Sequence, residues 1–92
     1  MRDRYNSILA KILGKINGNS WYAITIGQTA FYSVSKEKVE TDPKWIAHEN
    51  HHKVQWKRDG IKFLFKYIYY SIRYGYWNNP YEVEARKVAG QD

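Results

Sequence analysis

The chain has 92 residues, and its 15 Lys and Arg against 9 Asp and Glu give a formal charge of +6. A chain of this size buries roughly 65% of its unfolded surface, enough for one modest core over residues 1–92 and too little for a multi-domain catalyst. Three Phe, four Trp and nine Tyr exclude a disordered tail, and the lack of cysteine excludes disulfides, thiolate-bound zinc and iron–sulfur clusters.

The N-terminal residues Met1-Arg2-Asp3-Arg4-Tyr5 lead into alternating apolar and Lys residues, without the pattern of a signal peptide, so the expected compartment is cytoplasmic. From Ser7 to Ile16, the residues Ile8, Leu9, Ile12, Leu13 and Ile16 recur at helical spacing opposite Lys11 and Lys15, with Gly18 as a stop. Trp21 to Ile26 and Thr29 to Val34 flank Gly27-Gln28 in the pattern of a short β-hairpin, for which the first helix is the nearest packing partner. The charged run Ser35 to Glu40 reads as a loop. Asp42-Pro43 is an N-cap followed by proline at the first helical position, starting a helix that stops near Gly60. Ile61 to Tyr74 reads as a further helix, and Asn79-Pro80 repeats the cap signature before a last helix through Val88. The predicted fold is therefore α+β, mostly helical with one hairpin, in the order helix, hairpin, helix, helix, helix.

All three histidines fall in His48-Glu49-Asn50-His51-His52, which contains the pattern H-E-x-x-H. Residues i and i+4 of a helix lie about 40° apart around the axis and one turn apart along it, so both imidazoles can reach one cation. Glu49 points to one side, where its carboxylate can take a proton from water without occupying a coordination position. Chance alone, at this chain's His and Glu frequencies, yields the pattern on the order of 0.5% of the time, which favours chemistry over a solvated polar face. Two His are a weak set for Zn²⁺, and a hydrolytic site adds a third protein ligand. The segment Pro80-Tyr81-Glu82-Val83-Glu84-Ala85 offers two carboxylates, about 200° apart on a helix, so only one can meet the ion. Glu82 also fits a capping box after Asn79, in which case Glu84 would be the ligand; His51 competes with His52.

His48-Glu49-Asn50-His51-His52 followed by Glu82-Val83-Glu84-Ala85 resembles the gluzincin metallopeptidases, and in particular very small zincin domains encoded by phages or bacteria. The resemblance covers roughly Trp21 to Val88 and is specific in the two motifs. It implies a zincin-like domain with Zn²⁺ on His48, His52 and Glu82, and with Glu49 as general base for the hydrolysis of a peptide or protein substrate. It also implies a strand above the active-site helix along which substrate adds, with Thr29 to Val34 as the counterpart. Where the family often has Asp or Asn after the Ala of E-x-x-A, this chain has Arg86, so the usual group that orients a His ligand is missing from its expected place. The alternative is a zincin-derived structural or interaction protein without turnover, part of a larger assembly such as a phage virion. Tyr74, Tyr76 and Tyr81 lie between the motifs as candidate oxyanion donors.

The stretch 61–81 is rich in aromatics and carries Lys62, Lys66 and Arg73 without an acidic residue. Its helix either covers the active-site helix and snorkels its cations to water, or forms an interface with a protein, an anionic membrane or nucleic acid. A protein partner ranks first, and nucleic acid is set aside because no motif of that class is present. Even the longest apolar run, Ile61 to Ile72, is too short to span a bilayer.

Overall fold

Side-chain caps and one glycine corner set the helix boundaries. The computed structural model describes residues 3–91. Helix α1 (Ile8–Ile16) starts where Ser7 Oγ accepts the Ala10 N–H at 3.2 Å. Strands β1 (Ala23–Ile26) and β2 (Thr29–Tyr32) form an antiparallel hairpin, each shorter by two residues than the sequence pattern predicts. Helices α2 (Lys36–Glu40), α3 (Pro43–Asp59), α4 (Ile61–Tyr74) and α5 (Pro80–Ala89) follow. The small, mostly helical α+β fold expected from the sequence is present at this level.

The predicted loop at Ser35 to Glu40 is instead a short helix. Ser35 Oγ accepts the Lys38 N–H, and Val39 is buried in the same core as Ala30, Tyr32 and Val34. One apolar residue in a charged run carries no periodicity, so only burial of Val39 reveals the helix. At the start of α3, Asp42 Oδ1 accepts the Trp45 N–H at 3.1 Å beside Pro43. Gly60 separates α3 from α4 with φ +61° and ψ −141°, backbone angles that a β-carbon disfavours.

Alternation along the hairpin sets Ala23, Thr25, Ala30 and Tyr32 on one face. There Tyr32 meets the Trp45 ring edge-on at 5.0 Å and stacks on Tyr5 at 5.5 Å, while Trp45 and Ile46 join the core from α3. Helix α1 does pack on the hairpin, but through its small residues. Ala10 and Gly14 are buried, and a β-carbon on Gly14 would stand 2.7 Å from Tyr22 Cβ. Ile8, Ile12 and Ile16 face outward and are mostly exposed, which reverses the orientation that their spacing predicts.

The outer edge of β2 is covered. Arg4 donates its N–H to the Ala30 carbonyl and accepts from the Tyr32 N–H, both at 2.8 Å, and Ser7 N–H reaches the Tyr32 carbonyl. The two-residue loop makes Ile26 and Thr29 a hydrogen-bonded pair, so Ala23 and Thr25 turn their backbone groups away from β2. This leaves β1, not the Thr29 to Val34 strand expected from the resemblance, as the hairpin's outward edge. Helices α3 and α5 run antiparallel, as the pairs His48–Gln91, His51–Glu84 and Asp59–Tyr81 establish. Among the described residues no helix is long and apolar enough to cross a membrane.

Candidate metal centre

The i, i+4 spacing in α3 puts His48 and His52 on one face, with ring centroids 4.9 Å apart. α5 lays Glu82 across that face. Glu82 Oε1 lies 2.8 Å from His48 Nε2 and 3.1 Å from His52 Nε2, and Glu82 Oε2 accepts the Tyr67 hydroxyl from α4. Glu49 turns toward β1, where its Oε1 accepts the Thr25 hydroxyl at 2.9 Å. His48, Glu49 and His52 each offer a ligand atom within 4.8 Å of the others, close enough to hold one metal ion. All four residues are at most 7% exposed, so each charge must be met inside the protein.

The hydrogen bonds fix how His52 presents itself. Gln55 Nε2 donates to the Tyr81 carbonyl at 2.9 Å and to Glu84 Oε2 at 3.0 Å, which turns Gln55 Oε1 toward His52 Nδ1 at 2.8 Å. An amide oxygen accepts, so Nδ1 carries the hydrogen and donates. The neutral ring would then aim its Nε2 lone pair at a carboxylate oxygen, and two acceptors at 3.1 Å require a cation between them. That cation is a proton or a metal ion. Burial pulls the His52 imidazole down, and the Glu82 carboxylate more than reverses this, raising it to about 9. His48 is raised in the same way, burial being overcome by Glu82 and by Gln91, whose Oε1 lies 2.6 Å from His48 Nδ1.

The two buried carboxylates move in opposite directions. Burial raises Glu82, but hydrogen bonds from His48, His52 and Tyr67 hold it well below the usual carboxylate range. Burial also raises Glu49, and there His52, Thr25 and His48 only partly offset it, so Glu49 is the more basic of the pair. Separation of two neighbouring carboxylates in this way is what acid–base chemistry needs.

These groups line an open cleft of about 320 Å³. One side is the Tyr22 to Ile26 edge, the floor carries Glu49, His52 and Glu82, and Trp56, Phe63, Leu64 and Tyr67 form an apolar wall. Neither a family model, nor a curated protein, nor a solved structure matches the chain.

The alternatives left open by the motifs separate in three dimensions. Glu84 faces away from the His48–His52 pair and accepts from His51 Nε2 at 2.5 Å, from Gln55 and from Arg58. His51 is thereby engaged outside the cleft. Glu82 plays no part in a capping box, because the Asn79 N–H donates to the Tyr76 carbonyl while Asn79 Oδ1 accepts the Tyr81 N–H. Of the three candidate phenols, Tyr76 lines the cleft, Tyr81 donates to Asp59 at 2.9 Å, and Tyr74 stacks on Tyr70 outside it. Arg86, at the position of the expected orienting group, covers the Trp77 ring at 3.8 Å and donates to the Trp77 carbonyl.

Gln55 and Gln91 instead meet the His52 and His48 Nδ1 atoms, and Tyr67 holds the far oxygen of Glu82. Gln55 was legible in principle, since it lies three residues from His52 on the same helix face. Gln91 and Tyr67 come from other elements, and no local pattern marks them.

Proposed function

We propose that this chain is a minimal zincin-like metallopeptidase of the gluzincin kind, with Zn²⁺ held by His48, His52 and Glu82 and with Glu49 as general base. The observation that carries the reading is the convergence of both Nε2 atoms on Glu82 Oε1, with Glu49, His52 and Glu82 lining one cleft. Two imidazoles and a carboxylate suit zinc. A tetrahedral zinc set with bonds of about 2.05 Å has edges of about 3.3 Å, so separations of 2.8 and 3.1 Å need to open by only tenths of an ångström. When bound, the ion supplies Lewis acidity, which acidifies a water and polarises a carbonyl.

The chain's own residues do the rest. Glu49, raised by burial and fixed by Thr25, takes a proton from the attacking water and passes it to the leaving amine. Tyr76 lines the cleft, and its phenol, protonated at neutral pH, is a hydrogen-bond donor there for a developing oxyanion. An extended peptide can add along β1, through the backbone groups of Ala23 and the N–H of Thr25; the Thr25 carbonyl already accepts from Trp56 Nε1 at 3.0 Å. Aromatic and aliphatic walls fit a substrate with a bulky apolar side chain.

The test pairs metal content with turnover. Protein purified under zinc-replete conditions is expected to hold about one ion per chain and the His48→Ala variant almost none. Glu49→Gln is expected to keep the metal and lose hydrolysis of a peptide library by about 10²–10⁴-fold. Parent protein without zinc overturns the reading. Full zinc occupancy without hydrolysis by the parent supports the zincin-derived interaction protein instead.

A further inference from the structure

Helix α4 is apolar on two opposite sides. Its inner side carries Phe63, Tyr67 and Tyr70, whose rings lie 4.7, 6.5 and 5.9 Å from that of Tyr81. The outer side carries Ile61, Leu64, Phe65, Ile68, Tyr69 and Ile72, which are between 37% and 81% exposed. At 100° per residue these six fall within an arc of about 140°, where a solvated helix is ordinarily polar. Lys62, Lys66 and Arg73 follow one flank of the stripe, and residues 61–81 contain no carboxylate. Just past the helix, Tyr76 and Trp77 are also more than half exposed.

We propose that the outward face of α4 lies on an anionic lipid bilayer. Charge chooses this occupant over a second copy of the chain, because neither of two such helices offers a carboxylate to meet the three cations beside the stripe, whereas anionic headgroups do. A bilayer interface satisfies both features: the acyl boundary takes the stripe, and the headgroups take the three cations. Tyr and Trp suit that depth, with an apolar ring and a polar tip. At 14 residues the helix is about 21 Å long, too short to span and suited to lying in the interface plane. α1 repeats the arrangement on a smaller scale, with Ile8, Ile12 and Ile16 outward beside Lys11 and Lys15. Leu64 belongs to both the stripe and the cleft wall, so the cleft mouth would open beside the headgroups. Nothing in this proposal depends on a metal or on turnover.

The test is co-sedimentation of the full chain with phosphatidylcholine vesicles, with and without phosphatidylglycerol. Binding is expected to be about a hundredfold tighter on the anionic vesicles and to weaken with salt. Exchanging Lys62, Lys66 and Arg73 for Gln is expected to remove most of the preference for the anionic vesicles. The double variant Phe65→Ser, Ile68→Ser is expected to lose binding to both, with thermal unfolding confirming that it folds. The proposal is overturned by a parent chain that stays in the supernatant, or by equal binding of the double variant. It also falls if, without vesicle binding, the parent forms a dimer that the double variant loses, or binds a single-stranded oligonucleotide through the three cations.

Discussion

Between α3 and α5, His48, Glu49, His52, Gln55 and Glu82 are all buried, whereas on the outward side of α4 Ile61, Phe65 and Ile72 are each more than 60% exposed. The first region hides groups that water would solvate, and the second shows water groups that it would expel. Burial of an ionised carboxylate is costly unless partners meet it, and Glu82 has three: His48, His52 and Tyr67. Exposed apolar area forgoes roughly 25 cal/mol for each Å² left in water. Each region departs from the ordinary partition of polar and apolar groups, the polar one by holding imidazoles and carboxylates against one another away from water and the apolar one by leaving a stripe uncovered.

Substitutions on the two faces of α4 give the widest split. Phe63→Ala, at 4% exposure and packed on Trp56, Tyr67 and Tyr81, is expected to cost about 3–5 kcal/mol in denaturant unfolding. Phe65→Ala, two residues away and 67% exposed, is expected to stay within about 0.5 kcal/mol. Equal costs for the two would mean that the outward stripe is covered within the chain itself, and would dissolve the contrast.

A smaller effect tests the polar region. Gln55→Leu removes the acceptor for the His52 Nδ1 hydrogen and the side-chain donor to the Tyr81 carbonyl. Zinc affinity, measured by competition with a chelating dye, is expected to fall about 10–100-fold. Unchanged affinity would show that the His52 tautomer is set elsewhere.

The chelator-treated protein is expected to show a pH dependence. His52 is raised from 6.5 to about 9 in the folded chain, so its contribution is fully present below pH 6.5 and is lost as pH rises through about 9. Thermal midpoints are expected to drop across that window, and the zinc-loaded protein is expected to lack this drop because the ion replaces the proton. Glu82, held low, adds the opposite trend: its contribution is present above pH 4.5 and is lost on further acidification. A flat midpoint between pH 6.5 and 9 would place the charge that meets Glu82 on some group other than His52.

Much of the architecture was legible because its causes are local. Ser7, Asp42 and Asn79 each accept a backbone N–H two or three residues ahead, a bond that needs no knowledge of the rest of the chain. The His48–His52 pairing follows from helix geometry alone. The misreadings sit where a distant packing decision overrides a local pattern. The Ile8, Ile12, Ile16 stripe looks like a core face, yet Gly14 permits a closer approach of α1 on its opposite side. Thr29 to Val34 looks like the strand a substrate would meet, yet the segment from Arg4 to Ser7 reaches that edge first.

By itself, then, the sequence determined the starts of α1, α3, α4 and α5, the hairpin, the i, i+4 histidine pair with Glu49 beside it, and the exclusion of any thiolate site. Only the tertiary structure decided that Glu82 rather than Glu84 meets both imidazoles, that Gln55 and Gln91 face their Nδ1 atoms, and that β1 borders the cleft. The physical reason is range. Caps and periodicity act within one or two turns of a helix, whereas the rotation of α5 against α3, which separates two glutamates by about 200°, depends on every contact along both helices.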